Sequence, residues 1–245
     1  MKIKLGAILL LLYLGGCGLL NNSPSSVVGK FLKLSEKTQN IEAMEKLFSE
    51  RAKQELGAEK ILIDVLSAVD VGTQIASTGE SFPFLKPEET INGEFATVTF
   101  YIQPTWAAQN DKNNQAKSLL VKENGEWKIY AMGQSGEPNP NLNSIYATEI
   151  AKAFRTYPDL INTRLAGKTI VVEGDLASVN LNPDDDAGSL LIKTGFNGSS
   201  DGFGLCKLNS GAGALYEKTK PIENKKIKVK GVLAAKDPSD RDSSE

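Results

Sequence analysis

Residues 118–132 read SLLVKENGEWKIYAM. Two apolar-rich segments, Ser118 to Lys122 and Glu126 to Ala131, flank Glu123-Asn124-Gly125. Asn-Gly supplies the positive φ angles that a tight hairpin turn needs, so the stretch predicts two antiparallel strands. Upstream, NGEFATVTFYI at residues 92–102 has a period of two. Ala96, Val98, Phe100 and Ile102 share one face, with Phe95, Thr97, Thr99 and Tyr101 on the other. Glu88-Glu89, just after Pro87, reads as a capped, solvated turn.

Before these strands the period is helical. Val27, Val28, Phe31, Leu32 and Leu34 follow Ser25-Ser26. Ile41, Met44, Leu47 and Phe48 then recur at steps of three and four after Asn40, an expected N-cap. Ile61 to Val71 gives a third, more continuously apolar helix. Helices followed by an antiparallel meander predict an α+β fold in which one sheet face packs on the helices.

SSVVGKFLKLSEKTQNIEAMEKLFSE, NGEFATVTFYI and SLLVKENGEWKIYAM together resemble the nuclear-transport-factor-two-like fold, especially its lumazine-binding-related lipoprotein domains of unknown function. The resemblance implies a cone-shaped domain of helices and a curved antiparallel sheet over residues 27–133. Such a cone is either a ligand pocket or a filled core. Tyr101, Trp106, Trp127 and Tyr130 are the candidate pocket residues, and core or rim packing is the ordinary role of aromatics on half-buried strands. Isomerases and dehydratases of that fold use a carboxylate or histidine base, but no motif here transfers such a residue.

A Gly/Pro/Asn/Ser-rich segment, residues 134–143, reads as a linker. Beyond it Ile150, Ala153, Phe154 and Tyr157 fall on one helical face, stopped by Pro158. A strand follows in KTIVVEGDLASVNL, where Gly174 marks an expected bulge or bend. Asn180 to Gly188 reads as a loop, Gly188 to Lys193 and Gly202 to Leu208 as strands, and Ala212 to Lys218 as a short helix. Lys225 to Ala235 reads as a last strand with Ile227 and Val229 inward. This order suits a small Greek-key barrel. AKAFRTYPDLINTRLAGKTIVVEGDLASV, GFGLCKL and KKIKVKGVL resemble the tRNA-anticodon-like OB-fold family of bacterial envelope proteins, which implies an OB-fold-like β-barrel over residues 144–237. Residues 238–245 form a polar tail.

Single-strand binding on such a barrel needs stacking aromatics and a basic groove. Phe196 and Phe203 are the aromatics of the sheet region, and the domain holds about as many acids as bases. Lys226, Lys228 and Lys230 alternate along one strand face, the pattern of a solvated face that discourages edge pairing. A nucleic-acid partner is therefore not expected. Asp184-Asp185-Asp186 lacks the D-x-D-x-D-G spacing and closing glutamate of a calcium loop, so no metal is assigned. NGSSDGFG, residues 197–204, has neither the strand-to-helix setting nor the Lys-Ser/Thr pair of a phosphate cradle, and no cofactor is expected.

At the start, Lys2 and Lys4 precede the apolar run Leu5 to Leu14, which is too short to span a bilayer. Leu14-Gly15-Gly16-Cys17 resembles the lipobox of bacterial lipoproteins. The resemblance implies a signal peptide over residues 1–16, acylation of Cys17, and a tether over residues 17–26. Two or more acyl chains anchor a protein stably where one does not. Gly18 stands where an aspartate would retain such a protein at the inner membrane, so the resemblance favours the outer membrane, with the domains facing the periplasm or exterior.

The 245 residues carry a formal charge of -2, with 40% hydrophobic and 24% charged residues, so no polyanion partner is implied. With Cys17 acylated, Cys206 is the one remaining cysteine and no internal disulfide can form. Cys206 reads as a small buried hydrophobe, with a redox thiol as the other reading. The chain has no histidine, which excludes Ser-His-Asp and Cys-His catalysis and histidine-based zinc sites. The expectation is a lipid-anchored, non-catalytic binding or interaction module with an envelope protein as a partner. The alternatives are small-molecule binding or lyase/isomerase chemistry in the first domain's cone, and oligonucleotide or oligosaccharide binding by the second domain.

Overall fold

Helix caps set the boundaries of the first elements. The structure, a computed structural model, describes residues 23–77, 85–101, 115–182, 187–193, 203–208 and 226–233. Helix α1 (Pro24–Ser35) starts where the Ser23 hydroxyl accepts from the Ser26 N–H at 3.2 Å and proline fills the first helical position. It thus takes up residues 24–26, which the sequence assigned to the tether, and it buries Val27, Val28, Phe31 and Leu32. After a 3₁₀ turn (Thr38–Asn40) comes α2 (Ile41–Glu45). Asn40 holds the N-cap position without capping, because its amide donates to the Leu34 carbonyl at 3.0 Å and closes the end of α1 instead. Helix α3 (Glu50–Glu55), which the sequence reading missed, is capped by the Ser49 hydroxyl accepting from the Ala52 N–H at 2.9 Å. Helix α4 (Ala58–Ser77) extends beyond the expected 61–71, and Ile61, Leu62, Val65, Leu66 and Val69 form its buried stripe.

Strands β1 (Leu85–Asn92), β2 (Phe95–Tyr101), β3 (Gln115–Glu123) and β4 (Glu126–Met132) form an antiparallel sheet in sequence order. Ala96, Val98 and Phe100 are buried, and α1 packs against β1, β2 and β4. Glu88 and Glu89 are exposed but lie in β1, paired with Thr99 and Val98, rather than in a turn. Pro87 misled the reading: an edge strand tolerates proline and solvated acids, since only one of its sides must pair. Asn124 (φ 52°) and Gly125 (φ 82°) form the two-residue turn between β3 and β4, as their sequence requires. The register slips between Leu119 and Leu120, whose partners are Ala131 and Ile129, leaving Tyr130 as the extra residue of a bulge. The other side of β4 is covered, because Ile129 donates to the Leu47 carbonyl and accepts from the Ser49 N–H, both at 2.8 Å.

The chain divides into two units, Met1–Gly57 with Asp64–Pro140, and Ala58–Ile63 with Asn141–Glu245. A 3₁₀ turn (Pro140–Leu142) leads to β5 (Ile145–Tyr146), α5 (Ala147–Thr156) and α6 (Pro158–Leu165). Pro158 ends one helix as expected and also opens the next, since the first helical position has no use for an N–H. Neither β5 nor α6 was read from the sequence. Strand β6 (Thr169–Asn182) continues through Gly174 without a break. Its first half lies between β5, parallel, and β9 (Lys226–Val232), antiparallel. Its second half pairs with β7 (Ala187–Lys193), which pairs with β8 (Phe203–Leu208). The bulge falls at Ala177, between the paired Leu176 and Ser178, rather than at Gly174.

Asn180 to Asn182 and Ala187-Gly188, expected in a loop, are ladder residues. The sheets are antiparallel apart from the β5–β6 pair, and the class is α+β; among the described residues no closed barrel forms. Cys17, Trp106, Asp184-Asp185-Asp186, the expected helix Ala212–Lys218, most of NGSSDGFG, and residues 238–245 lie outside the described residues.

Candidate functional site

Of the aromatic residues singled out in the first unit, Tyr101 ends β2 with its side chain undescribed, and Trp127 and Tyr130 are buried on β4. The two are held by different partners. The Lys122 ammonium, cross-strand from Trp127, lies 5.7 Å from the indole centroid. The Tyr130 hydroxyl donates to Glu55 Oε2 at 2.7 Å, and Arg51 Nε donates to Glu55 Oε1 at 2.8 Å. The Arg51 guanidinium also lies 5.9 Å from the ring centroids of Phe95 and Tyr130. At the opposite end of α3, the Glu123 carboxylate accepts from the N–H groups of Glu50 and Arg51, each at 3.1 Å. That places negative charge at a helix N-terminus, where it is favourable.

This cluster fastens α3 to the hairpin. Burial and then the bond to Glu55 push the Tyr130 phenol well above its ordinary range. The bonds from Tyr130 and Arg51 hold the Glu55 carboxyl below its usual value. With both oxygens of Glu55 engaged and the phenol a poor proton donor, the geometry suits positioning better than proton transfer.

The second unit contains an open cleft of about 160 Å³ lined by Tyr146, Ala147, Thr148, Glu173, Gly174, Asp175, Lys193 and Lys226. Its geometry follows from strand register. Glu173 and Asp175 are two residues apart on β6 and so share a sheet face. Tyr146 is the parallel partner of Glu173, and Lys228 and Lys226 are the antiparallel partners of Glu173 and Asp175. Gly174 lies between them at a crowded point: a Cβ there would come 2.5 Å from Ile192 Cγ2 and 3.0 Å from Ala147 Cβ.

Glu173 Oε2 accepts from the Ser144 hydroxyl at 2.7 Å and pairs with Lys228 Nζ at 3.2 Å. The Ser144 bond and the lysine charges hold the carboxyl below its usual range despite its burial, so it is ionised at neutral pH. Tyr146 is half exposed, Asp175 and Lys226 are exposed, and Lys193 is half-buried. The alternating lysines of β9 are thus placed opposite carboxylates at two of three positions, which compensates the basic stripe.

The sequence reading noted Lys226 and Lys228 but missed Tyr146, Ser144, Glu173 and Asp175. The E-x-D spacing in VVEGDL was visible, but only the register sets it against the lysines. Among the described residues, no group of three or more cysteines, aspartates or glutamates gathers to hold a metal ion, and no helix is long and apolar enough to cross a membrane. Compared with protein-family models and with curated proteins, the chain matches none.

Proposed function

We propose that this protein is a bacterial envelope lipoprotein, anchored through acyl chains on Cys17, whose two domains form a non-catalytic binding or interaction module. The observation that carries the reading is the sequence Leu14-Gly15-Gly16-Cys17 directly after a lysine-flanked apolar run of about ten residues. The first unit is read as a nuclear-transport-factor-two-like domain, supported by helices α1–α4 preceding a four-stranded antiparallel meander. The second is read as an OB-fold-like domain. Support comes from the long, glycine-containing β6, which pairs with both β7 and β9 as the first strand of a Greek-key barrel pairs with two neighbours. The outer membrane is the proposed location, with the domains on its periplasmic or external side.

Lyase or isomerase chemistry in the first unit is less well supported. It needs a carboxylate free to take a proton, and the carboxylate beside Tyr130 has both oxygens engaged. Expression with a clickable fatty acid tests the anchor. The wild-type chain is expected to take up label and move to the membrane fraction, and Cys17→Ala to lose both. Label retained by Cys17→Ala would overturn the assignment.

A further inference from the structure

We infer that the cleft on β6 is a binding site for a small zwitterion that carries a primary ammonium and a carboxylate, of amino-acid size. The inference rests on the binding-module part of the proposed function and is independent of the lipid anchor.

The lining supplies both charges and an apolar wall. Ser144 and Lys228 both engage Glu173 Oε2, and among the described residues Oε1 has no partner, so an ionised carboxylate presents a free acceptor. The Asp175 carboxylate, on the same face, forms no ion pair or hydrogen bond with the described residues, and neither does the ammonium of its cross-strand partner Lys226. Tyr146 offers a half-exposed ring beside Glu173.

A ligand ammonium would sit against Glu173 Oε1 and Asp175 with the Tyr146 ring alongside, where the carboxylates and the ring both attract a cation. The ligand carboxylate would meet Lys226. A zwitterion would place opposite charges against Asp175 and Lys226 at once, whereas a simple cation or anion would meet only one of the two. The cleft volume, about 160 Å³, corresponds to about five waters and is below the 300–1,000 Å³ of drug-sized sites. A group the size of one amino acid fills that space.

Calorimetric titration of the full-length lipidated protein in mild detergent tests this, with L-alanine, β-alanine, propylamine and propionate as probes. Saturable binding of an amino acid is expected at one site per chain, with propylamine and propionate each at least about tenfold weaker. Asp175→Asn and Lys226→Gln should each weaken amino-acid binding by about tenfold or more, because each removes one charged hydrogen-bond partner. Both positions are exposed, so the circular dichroism and melting temperature of these variants should match wild type.

Absence of saturable binding by any probe to the folded protein would overturn the inference. So would propionate or propylamine binding as tightly as the amino acids, or binding unaffected by both substitutions. Cys17→Ala should bind as wild type does, so loss of fatty-acid label and loss of amino-acid binding report on separate claims.

Discussion

Gly72, in the interior of α4, gives a prediction whose sign depends on packing. Helix propensity alone expects Gly72→Ala to stabilise the protein by about 1 kcal/mol, because alanine loses less backbone entropy on folding. The structure predicts the opposite. A Cβ at position 72 would stand 2.3 Å from Ser35 Oγ, 2.5 Å from the Ser35 carbonyl oxygen and 2.6 Å from its carbonyl carbon. Two of these three atoms are backbone of α1, which cannot move without shifting the helix and the apolar residues it buries.

Overpacking of this kind costs about 1–3 kcal/mol, and contact with backbone puts the cost at the upper end. Set against the gain of about 1 kcal/mol, the net effect is a destabilisation of about 2 kcal/mol. Urea unfolding followed by tryptophan fluorescence reads this, since the buried Trp127 belongs to the first unit. With a slope of about 2 kcal/mol/M, the midpoint should fall by about 1 M with the slope unchanged. Ser35→Ala should fail to rescue it, because that change removes only the hydroxyl and leaves both backbone contacts. A midpoint equal to or above wild type would refute the reasoning, and full rescue by Ser35→Ala would show that only the hydroxyl was in the way.

Tyr130→Phe removes the bond to Glu55 and should cost about 1.5 kcal/mol at neutral pH, the low end for a charged acceptor because Glu55 is partly solvated. The phenol's value is raised in the folded state above the ordinary 10.0, so wild-type stability should fall as pH rises past 10, and Tyr130→Phe should flatten that alkaline slope in a thermal-melt series. Glu55 and Glu173 are both lowered below the ordinary 4.5, so their stabilisation is present above that value and is lost as pH falls through the folded-state values. Carboxyl NMR should show the Glu173 titration moving up in Ser144→Ala, since the largest cause of its depression has gone. Gly174→Ala should destabilise the second unit by about 1–3 kcal/mol, because its Cβ meets Ile192 and Ala147; a neutral result in chemical denaturation would contradict the crowding seen there.

Legibility tracked how local the determinant was. The β3–β4 hairpin was readable because Asn124-Gly125 specifies its own backbone angles. The shared face of Ala96, Val98 and Phe100 on β2 and the Ile227 and Val229 face of β9 followed from alternation alone; the first three are buried and the last two half-buried, while Ile102 lies outside the described residues. Short elements were lost. The α3 sequence ERAKQE buries one residue, Ala52, and so carries no apolar period. Two-residue β5 has none to show either. β1 was hidden because Pro87 and two glutamates look like a turn unless the strand is known to be an edge. Tyr130 was noticed as an aromatic, but its bulge position and its bond to Glu55, 75 residues away, are products of pairing.

The cleft was invisible for the same reason, and Gly174 shows why. Alternation read the glycine as a break in a strand, since a missing side chain interrupts the pattern. In the structure the strand continues, and the glycine is there because β7 and the start of α5 come too close for any side chain. That approach brings Tyr146, at the end of β5, beside Glu173 and leaves room above the glycine between the two acids and their lysine partners. A β-carbon at this position would press on Ile192 and on Ala147, and Ala147 lines the cleft. If the cleft binds a ligand, Gly174→Ala should therefore weaken binding while leaving every charged group in place. Substitution of Asp175 or Lys226 should do the reverse, removing charge without moving the walls.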